Sequence, residues 1–135
     1  MSHFKIATCY LLGLLFIAAG LNHFLHTDFY ISIMPPYLPW PLVLVYISGL
    51  AEMALGGLLL IDRCRIWAAW GLIALSLAVF PANIHMARHP DLYPMFSAWG
   101  LWFRLPLQAL LIAWIYWYTR LPRDQAAGRA ITEPN

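Results

Sequence analysis

Four long apolar stretches organise the chain, about Ile6–Phe24, Leu42–Ile61, Ile66–Ala87 and Trp99–Tyr118, and no fifth of that length occurs. Each approaches the about 20 residues that a helix needs to cross the hydrocarbon core of a bilayer. Only Asp62-Arg63-Cys64-Arg65 separates the second stretch from the third, so those two must form an antiparallel helical hairpin. The pattern predicts an all-α integral membrane protein, an antiparallel four-helix bundle in residues 1–120, followed by a polar tail over 121–135 with Pro, Gly and scattered charges.

Composition sharpens this reading. Of the 135 residues, 62% are hydrophobic and 10% charged, against roughly 45–50% and about 25% in soluble domains. Mean hydropathy is +0.68. Two cysteines are too few for a disulfide scaffold. A net charge of +2 without a basic stripe excludes nucleic acid as the main partner, and the lipid bilayer takes its place.

The basic residues set the orientation. Lys5, Arg63, Arg65, Arg120, Arg123 and Arg129 precede span 1, join spans 2 and 3, or follow span 4, whereas the other two loops contain only Arg88. Lysine and arginine concentrate on the cytoplasmic side, so both termini are expected there. Lys5, the apolar run and Ala18-Ala19-Gly20 superficially resemble a cleaved signal peptide. The run is long enough to span, however, and an uncleaved first helix is expected.

The opposite face carries two loops. In 25–41, Thr27 or Asp28 is expected to cap a short helix through Phe29, Tyr30, Ile31 and Ile33. Pro35, Pro36, Pro39 and Pro41 then stop helix, and with Tyr37 and Trp40 the segment reads as an interfacial flap, either anchor or lid. The loop from Arg88 to Ala98, with Tyr93, Pro94 and Phe96, is placed at the same level. Trp67, Trp70, Trp114, Trp117 and Tyr118 mark the cytoplasmic interface.

Ionisable groups inside the spans are the informative minority, because each costs about 2.5–3.5 kcal/mol to insert and usually faces the bundle interior. They are Glu52 in span 2 and Arg104 in span 4, with His23 and His85 near span ends and Asn22, Ser48, Asn83 and Gln108 as neutral partners. A rise of about 1.5 Å per residue puts Glu52 roughly 15 Å below the outer surface and Arg104 about 7–8 Å, with Gln108 one turn deeper. Nearly all these groups thus fall in the extracytoplasmic half. One shared cavity follows, in which Glu52 and Arg104 have depths compatible with a charge pair and Gln108 bridges. A structural clasp between helices accounts for the same residues, and Gly13, Gly20, Gly49, Gly56 and Gly57 suit close packing. Pro81 and Pro106 would free the carbonyls of Leu77 and Trp102, which suits a cavity wall or a simple kink equally.

Other chemistries have less support. His23 with His26, and His85 with His89, have ligand-like spacing. His26 and His89 fall beyond the helices, though, and no Cys or Met cluster joins them, so metal and haem are disfavoured and no metal ligands are assigned. His23 suits hydrogen bonding or proton exchange better. Cys9 and Cys64 lie towards the cytoplasmic face, lack a Cys-x-x-Cys arrangement and read as inert thiols.

At these residues the chain resembles the DoxX-like family of small four-helix membrane proteins, which groups with the DoxD and MauE types. The likeness rests on Ala19-Gly20-Leu21-Asn22-His23-Phe24, Pro35-Pro36-Tyr37-Leu38-Pro39, Ser48-Gly49-Leu50-Ala51-Glu52, Phe80-Pro81-Ala82-Asn83-Ile84 and Arg104-Leu105-Pro106-Leu107-Gln108, between about Lys5 and Thr119. The resemblance implies a ligand-binding set of Asn22, His23, Glu52, Asn83, Arg104 and Gln108, the set that depth alone isolates. It also implies association with membrane redox processes, in a bacterial inner membrane: quinone-linked sulfur oxidation, oxidative-stress complexes or maturation of periplasmic redox enzymes.

Two functions follow as expectations. In the first, a redox-associated protein, or a subunit of a quinone-linked oxidoreductase, binds a quinone or other small molecule in the outer-half cavity. Phe80, Trp99, Trp102 and Phe103 would wall the ring, and His23, Glu52 and Arg104 are the candidate reacting groups. In the second, a non-enzymatic interaction subunit or assembly factor serves a redox-enzyme partner and uses the polar cluster as a clasp. Solute transport would need a homo-oligomer, for which Gly49, Gly56 and Gly57 offer a packing face.

Overall fold

The computed structural model describes residues 2–120; the tail over 121–135, with Arg123 and Arg129, lies outside the described residues. All regular structure among the described residues is helical: α1 (His3–Leu25), α2 (Thr27–Ser32), α3 (Pro41–Leu59), α4 (Arg65–Arg88), a 3₁₀ turn (Pro90–Leu92) and α5 (Ala98–Trp117). The helices α1, α3, α4 and α5 are long and apolar enough to cross a membrane. Their outer faces carry Leu14, Leu15, Leu50 and Leu110, all more than half exposed. Such apolar surface suits lipid and not water.

Small residues set the closest packing. On α1 and α3, Gly13 lies against Gly56 and Gly20 against Gly49, so the two helices run antiparallel with their backbones touching. A Cβ built on Gly20 would sit 2.4 Å from the Gly49 carbonyl oxygen, and one on Gly56 2.8 Å from that of Gly13. Without a hydrophobic force between helices in lipid, such close van der Waals contact is what holds them. Gly49 and Gly56 are therefore packed against α1 of the same chain, and of that trio only Gly57 meets open space. On the other side α4 packs on α5, where Met86 and Ala87 bury against Leu101. Gly71 of α4 receives Leu55 of α3.

Two apolar plugs result. At the end where α1 begins and α5 finishes, Cys9, Leu12, Leu59, Leu72, Ile115 and Tyr118 form a buried core from all four long helices. Lys5 Nζ bonds the Arg120 carbonyl there at 3.3 Å, and the Tyr118 hydroxyl donates to Thr8 Oγ1 at 2.8 Å. At the loop end, Met86, Ala87, Tyr93 and Leu101 form a smaller core. Tyr93 is thus a plug residue, not an interfacial anchor: the 3₁₀ turn folds it inward, and its hydroxyl reaches His85 Nδ1 at 3.3 Å. Burial, with Tyr37 nearby, pushes that hydroxyl above its usual range, so it remains a donor.

Several local expectations change. Thr27 is the first residue of α2 and not its cap; its hydroxyl donates back to the His23 and Phe24 carbonyls at the end of α1. Trp40 takes left-handed backbone (φ 50°) to turn the proline segment into Pro41, the first residue of α3. Both α4 and α5 continue through Pro81 and Pro106 without interruption. Arg65 points inward, only 4% exposed, with Nε donating to the Leu59 carbonyl at 3.0 Å and Nη2 2.6 Å from Asp62. It closes the C-terminus of α3, where helix carbonyls lack partners. Cys9 Sγ approaches the same carbonyl at 3.6 Å.

This packing predicts opposite outcomes at two glycines of one helix pair. Gly20→Val should lower stability in detergent by about 1–3 kcal/mol, because a backbone oxygen cannot yield to the new side chain. Gly57→Ala should be neutral or raise it by up to about 1 kcal/mol through helix propensity. Thermal melting of the two variants checks both.

Candidate functional site

Between the plugs lies a polar layer. It encloses two adjoining cavities of about 330 and 250 Å³ that share Glu52, Val79, Asn83 and Arg104. The larger adds Phe16 from α1, Leu75 and Ser76 from α4, and Leu107, Gln108 and Leu111 from α5. The smaller adds Ala19 and His23 from α1, Tyr30, Ile33 and Met34 from α2 and its C-terminal flank, Val45 and Ser48 from α3, and Ala82 and Met86 from α4. Helical spacing explains the lining: Ser48 and Glu52, Val79 and Asn83, and Arg104 and Gln108 each recur one turn apart on an inward face.

Glu52 stands where the cavities meet. Its Oε2 is fully buried and has no hydrogen-bond partner. His23 Nδ1 is 3.7 Å from that oxygen, outside hydrogen-bond range, and bonds the Ala19 carbonyl at 2.9 Å instead. A carbonyl only accepts, so Nδ1 carries a proton. Arg104 does not meet the carboxylate. Its guanidinium makes a 4.0 Å contact with Met86 Sδ and lies 5.6 Å from the Phe96 ring centre. No carboxylate among the described residues comes within 4.0 Å of it. The charge pair that their depths would allow is therefore not formed: the two groups line both cavities.

Asn83 and Gln108 behave differently. Asn83 Nδ2 donates to Gln108 Oε1 at 2.5 Å, and Gln108 Nε2 donates to the Ser76 carbonyl at 2.6 Å. These bonds tie α4 to α5, so Gln108 bridges two helices and not two charges. The carbonyl it takes is that of Ser76, one residue before the predicted Leu77, whose side chain is 56% exposed on the other face of α4. Asn22 stands apart from the cavities. Its amide donates to the Tyr30 hydroxyl at 2.8 Å, and the Tyr30 ring stacks on His23 at 3.9 Å between ring centres. Asn22 thus positions the flap helix α2, whose tyrosine covers the histidine.

The expected aromatic wall is not there. Trp99, Trp102 and Phe103 are 87%, 53% and 63% exposed, and neither they nor Phe80 lines the two polar cavities. On α5 they fall on the lipid side of the face that carries Arg104, Leu107, Gln108 and Leu111. The aromatic rings that do line the cavities are Phe16 and Tyr30. Phe16 sits in a uniformly apolar run, where nothing distinguishes it from its neighbours. Tyr30 was legible only as a flap residue.

The remaining histidines lie elsewhere. His85 and His89 stack at 4.4 Å, and His89 Nδ1 bonds the His85 carbonyl, the i,i+4 pairing of a helix end. They border a separate space with Tyr37 and Arg88. Among the described residues, no group of three or more His, Cys, Asp and Glu could hold a metal ion.

These features define a class: a four-span membrane protein with a polar cavity at mid-helix depth, holding one acidic and one basic side chain that do not pair. The chain belongs to the family described as Domain of unknown function (DUF8561), whose model matches residues 12–119, all but the ends of the sequence. No curated protein and no solved structure matches it.

The hydrogen-bonded part of the layer makes a clear prediction. Gln108→Leu should cost about 1 kcal/mol of stability, since it strands the Asn83 amide. Asn83→Leu added to that variant should cost less than Asn83→Leu alone, because the bond is already gone. A double-mutant cycle by thermal melting measures this.

Proposed function

We propose that this protein binds a small molecule, a quinone or a compound of similar hydrogen-bonding character, in the polar cavity, and that it serves a membrane redox process. The observation that carries the reading is the buried, unpartnered Oε2 of Glu52 facing the same space as a guanidinium without a carboxylate. An ion pair would relieve both charges, since each is costly inside a membrane. Holding them apart makes sense where a ligand completes both: Arg104 donates to a ligand oxygen, and Glu52 accepts from a ligand hydroxyl or holds a proton. His23 Nε2 and the Tyr30 hydroxyl, whose oxygen already accepts from Asn22, add hydrogen-bonding groups at the loop end.

The quinone and redox elements come from the resemblance to DoxX-like proteins, carried by Glu52, Asn83, Arg104, Gln108 and His23. Electrons would come from a partner or a diffusible carrier, as in a subunit of a quinone-linked oxidoreductase. The basic residues Lys5, Arg63, Arg65 and Arg120 support an orientation with their end of the bundle in the cytoplasm, and the bacterial inner membrane comes from the same resemblance.

The second reading, an assembly factor or interaction subunit with a structural clasp, draws support from Asn83, Gln108 and Ser76, which are bonded helix to helix. It does not account for Glu52 and Arg104. The two readings part at one substitution. Glu52→Gln removes a buried carboxylate whose Oε2 has no hydrogen-bond partner in the protein, so it should leave the melting temperature unchanged or raised while abolishing bound ligand. Organic extraction of the purified protein followed by mass spectrometry checks the second half. A destabilised Glu52→Gln variant, with no lipid-soluble carrier extracted from the native protein and none bound on addition, would establish the clasp instead.

A further inference from the structure

The walls of the larger cavity differ in a way that bears on how a ligand arrives. Side chains occupy both ends of the helix array. Leu12, Leu59, Leu72 and Ile115 fill the terminal end, and Tyr30, Ile33 and Met34 roof the smaller cavity at the loop end. Sideways, α1 and α3 meet backbone to backbone through their glycines, Leu55 of α3 seats on Gly71 of α4, and α4 is tied to α5 by Gln108. The remaining seam, α1 to α5, is different. Its bonds lie at the terminal end, where Lys5 sits over Trp117 and Thr8 takes the Tyr118 hydroxyl. Two turns further along α1, Phe16 is the one residue of that helix lining the larger cavity. Across from it are Leu107 and Leu111 of α5, and Leu107 is 47% exposed. Phe16 has no glycine or polar partner on α5 to lock it in place.

We propose that the ligand is a membrane-dissolved amphiphile that enters sideways from the bilayer between α1 and α5, seating its polar head between Glu52 and Arg104 and leaving its apolar tail along Phe16, Leu107 and Leu111. The proposal rests on the binding reading above and names the class of molecule that the cavity takes. The composition of the walls supports it: Glu52, Asn83 and Arg104 lie where the two cavities join, the Gln108 amide of the larger cavity is already bonded to Asn83 and to the Ser76 carbonyl, and the rest of that cavity's own lining is Phe16, Leu75, Leu107 and Leu111. A tail there exchanges lipid for apolar side chains at little cost, whereas a fully water-soluble ligand would leave those walls without a complementary surface. Phe16 acts as the swinging side of the opening.

The test uses the full chain in lipid nanodiscs and a decyl-substituted benzoquinone with a photoactivatable diazirine at the chain end. Labelling that exceeds the level in Glu52→Gln reports the site, which removes the background of probe dissolved in the lipid. Site-specific labels should map to Phe16, Leu107 and Leu111. Phe16→Trp, which enlarges the side chain at the opening, should slow the approach to saturation by about tenfold, the effect of roughly 1.4 kcal/mol on a barrier, while Leu110→Trp, on the outer face of α5 and outside both cavities, leaves it unchanged. Labels concentrated on Tyr30, Ile33 and Met34, with Met34→Trp in the roof the slow variant, would overturn lateral access and leave the binding reading standing. Equal labelling of the native protein and Glu52→Gln would overturn both. Mapping on the native protein decides the route even if Phe16→Trp fails to fold.

Discussion

A carboxylate oxygen buried in a membrane protein without a hydrogen-bond donor is an expensive object, and the arrangement around Glu52 is organised about it. Arg104 is on the same cavity wall system, yet its guanidinium rests against Met86 and Phe96. Had the chain needed only a cross-link between helices, the neutral amides would suffice, as Asn83 and Gln108 demonstrate a turn away. The separation of the charges is what converts a polar layer from packing material into a place where a third chemical group is missing.

The rest of the fold positions the groups of that layer. The glycine contacts pull α1 tightly onto α3, which fixes His23 near Glu52, since Gly49 lies directly under the His23 side chain. The amide bonds fix α4 to α5 and so hold Asn83 level with Arg104. Apolar clusters pack the helices together on either side of the layer. The flap contributes Tyr30, oriented by Asn22 and stacked on His23. Asn22 thereby affects the cavity without touching it.

Much of this was legible in the sequence, for a simple reason. Position along a helix axis follows from counting residues, so hydropathy located the four long helices and a constant rise put Glu52, Arg104, Gln108, Asn83 and His23 in one layer. Rotation about the axis and distance between helices do not follow from counting. That is why Trp99, Trp102 and Phe103, at the right depth, were expected inside and instead face lipid, and why a pair of charges at compatible depths need not touch. Phe16 was hidden in a run where every neighbour is apolar. Arg65 was counted among the orienting charges because its sequence position shows a loop, while its role in closing the end of α3 depends on a carbonyl six residues earlier. Gly49 and Gly56 suited close packing, but only the contacts reveal that α1 is the partner.

The account turns on what occupies the space between Glu52 and Arg104. An experimental density map of the protein extracted with its native lipids addresses this directly. The account predicts non-protein density in contact with both the Glu52 carboxylate and the Arg104 guanidinium. A map in which the guanidinium reaches across to bond the carboxylate, with no density between them, would contradict it.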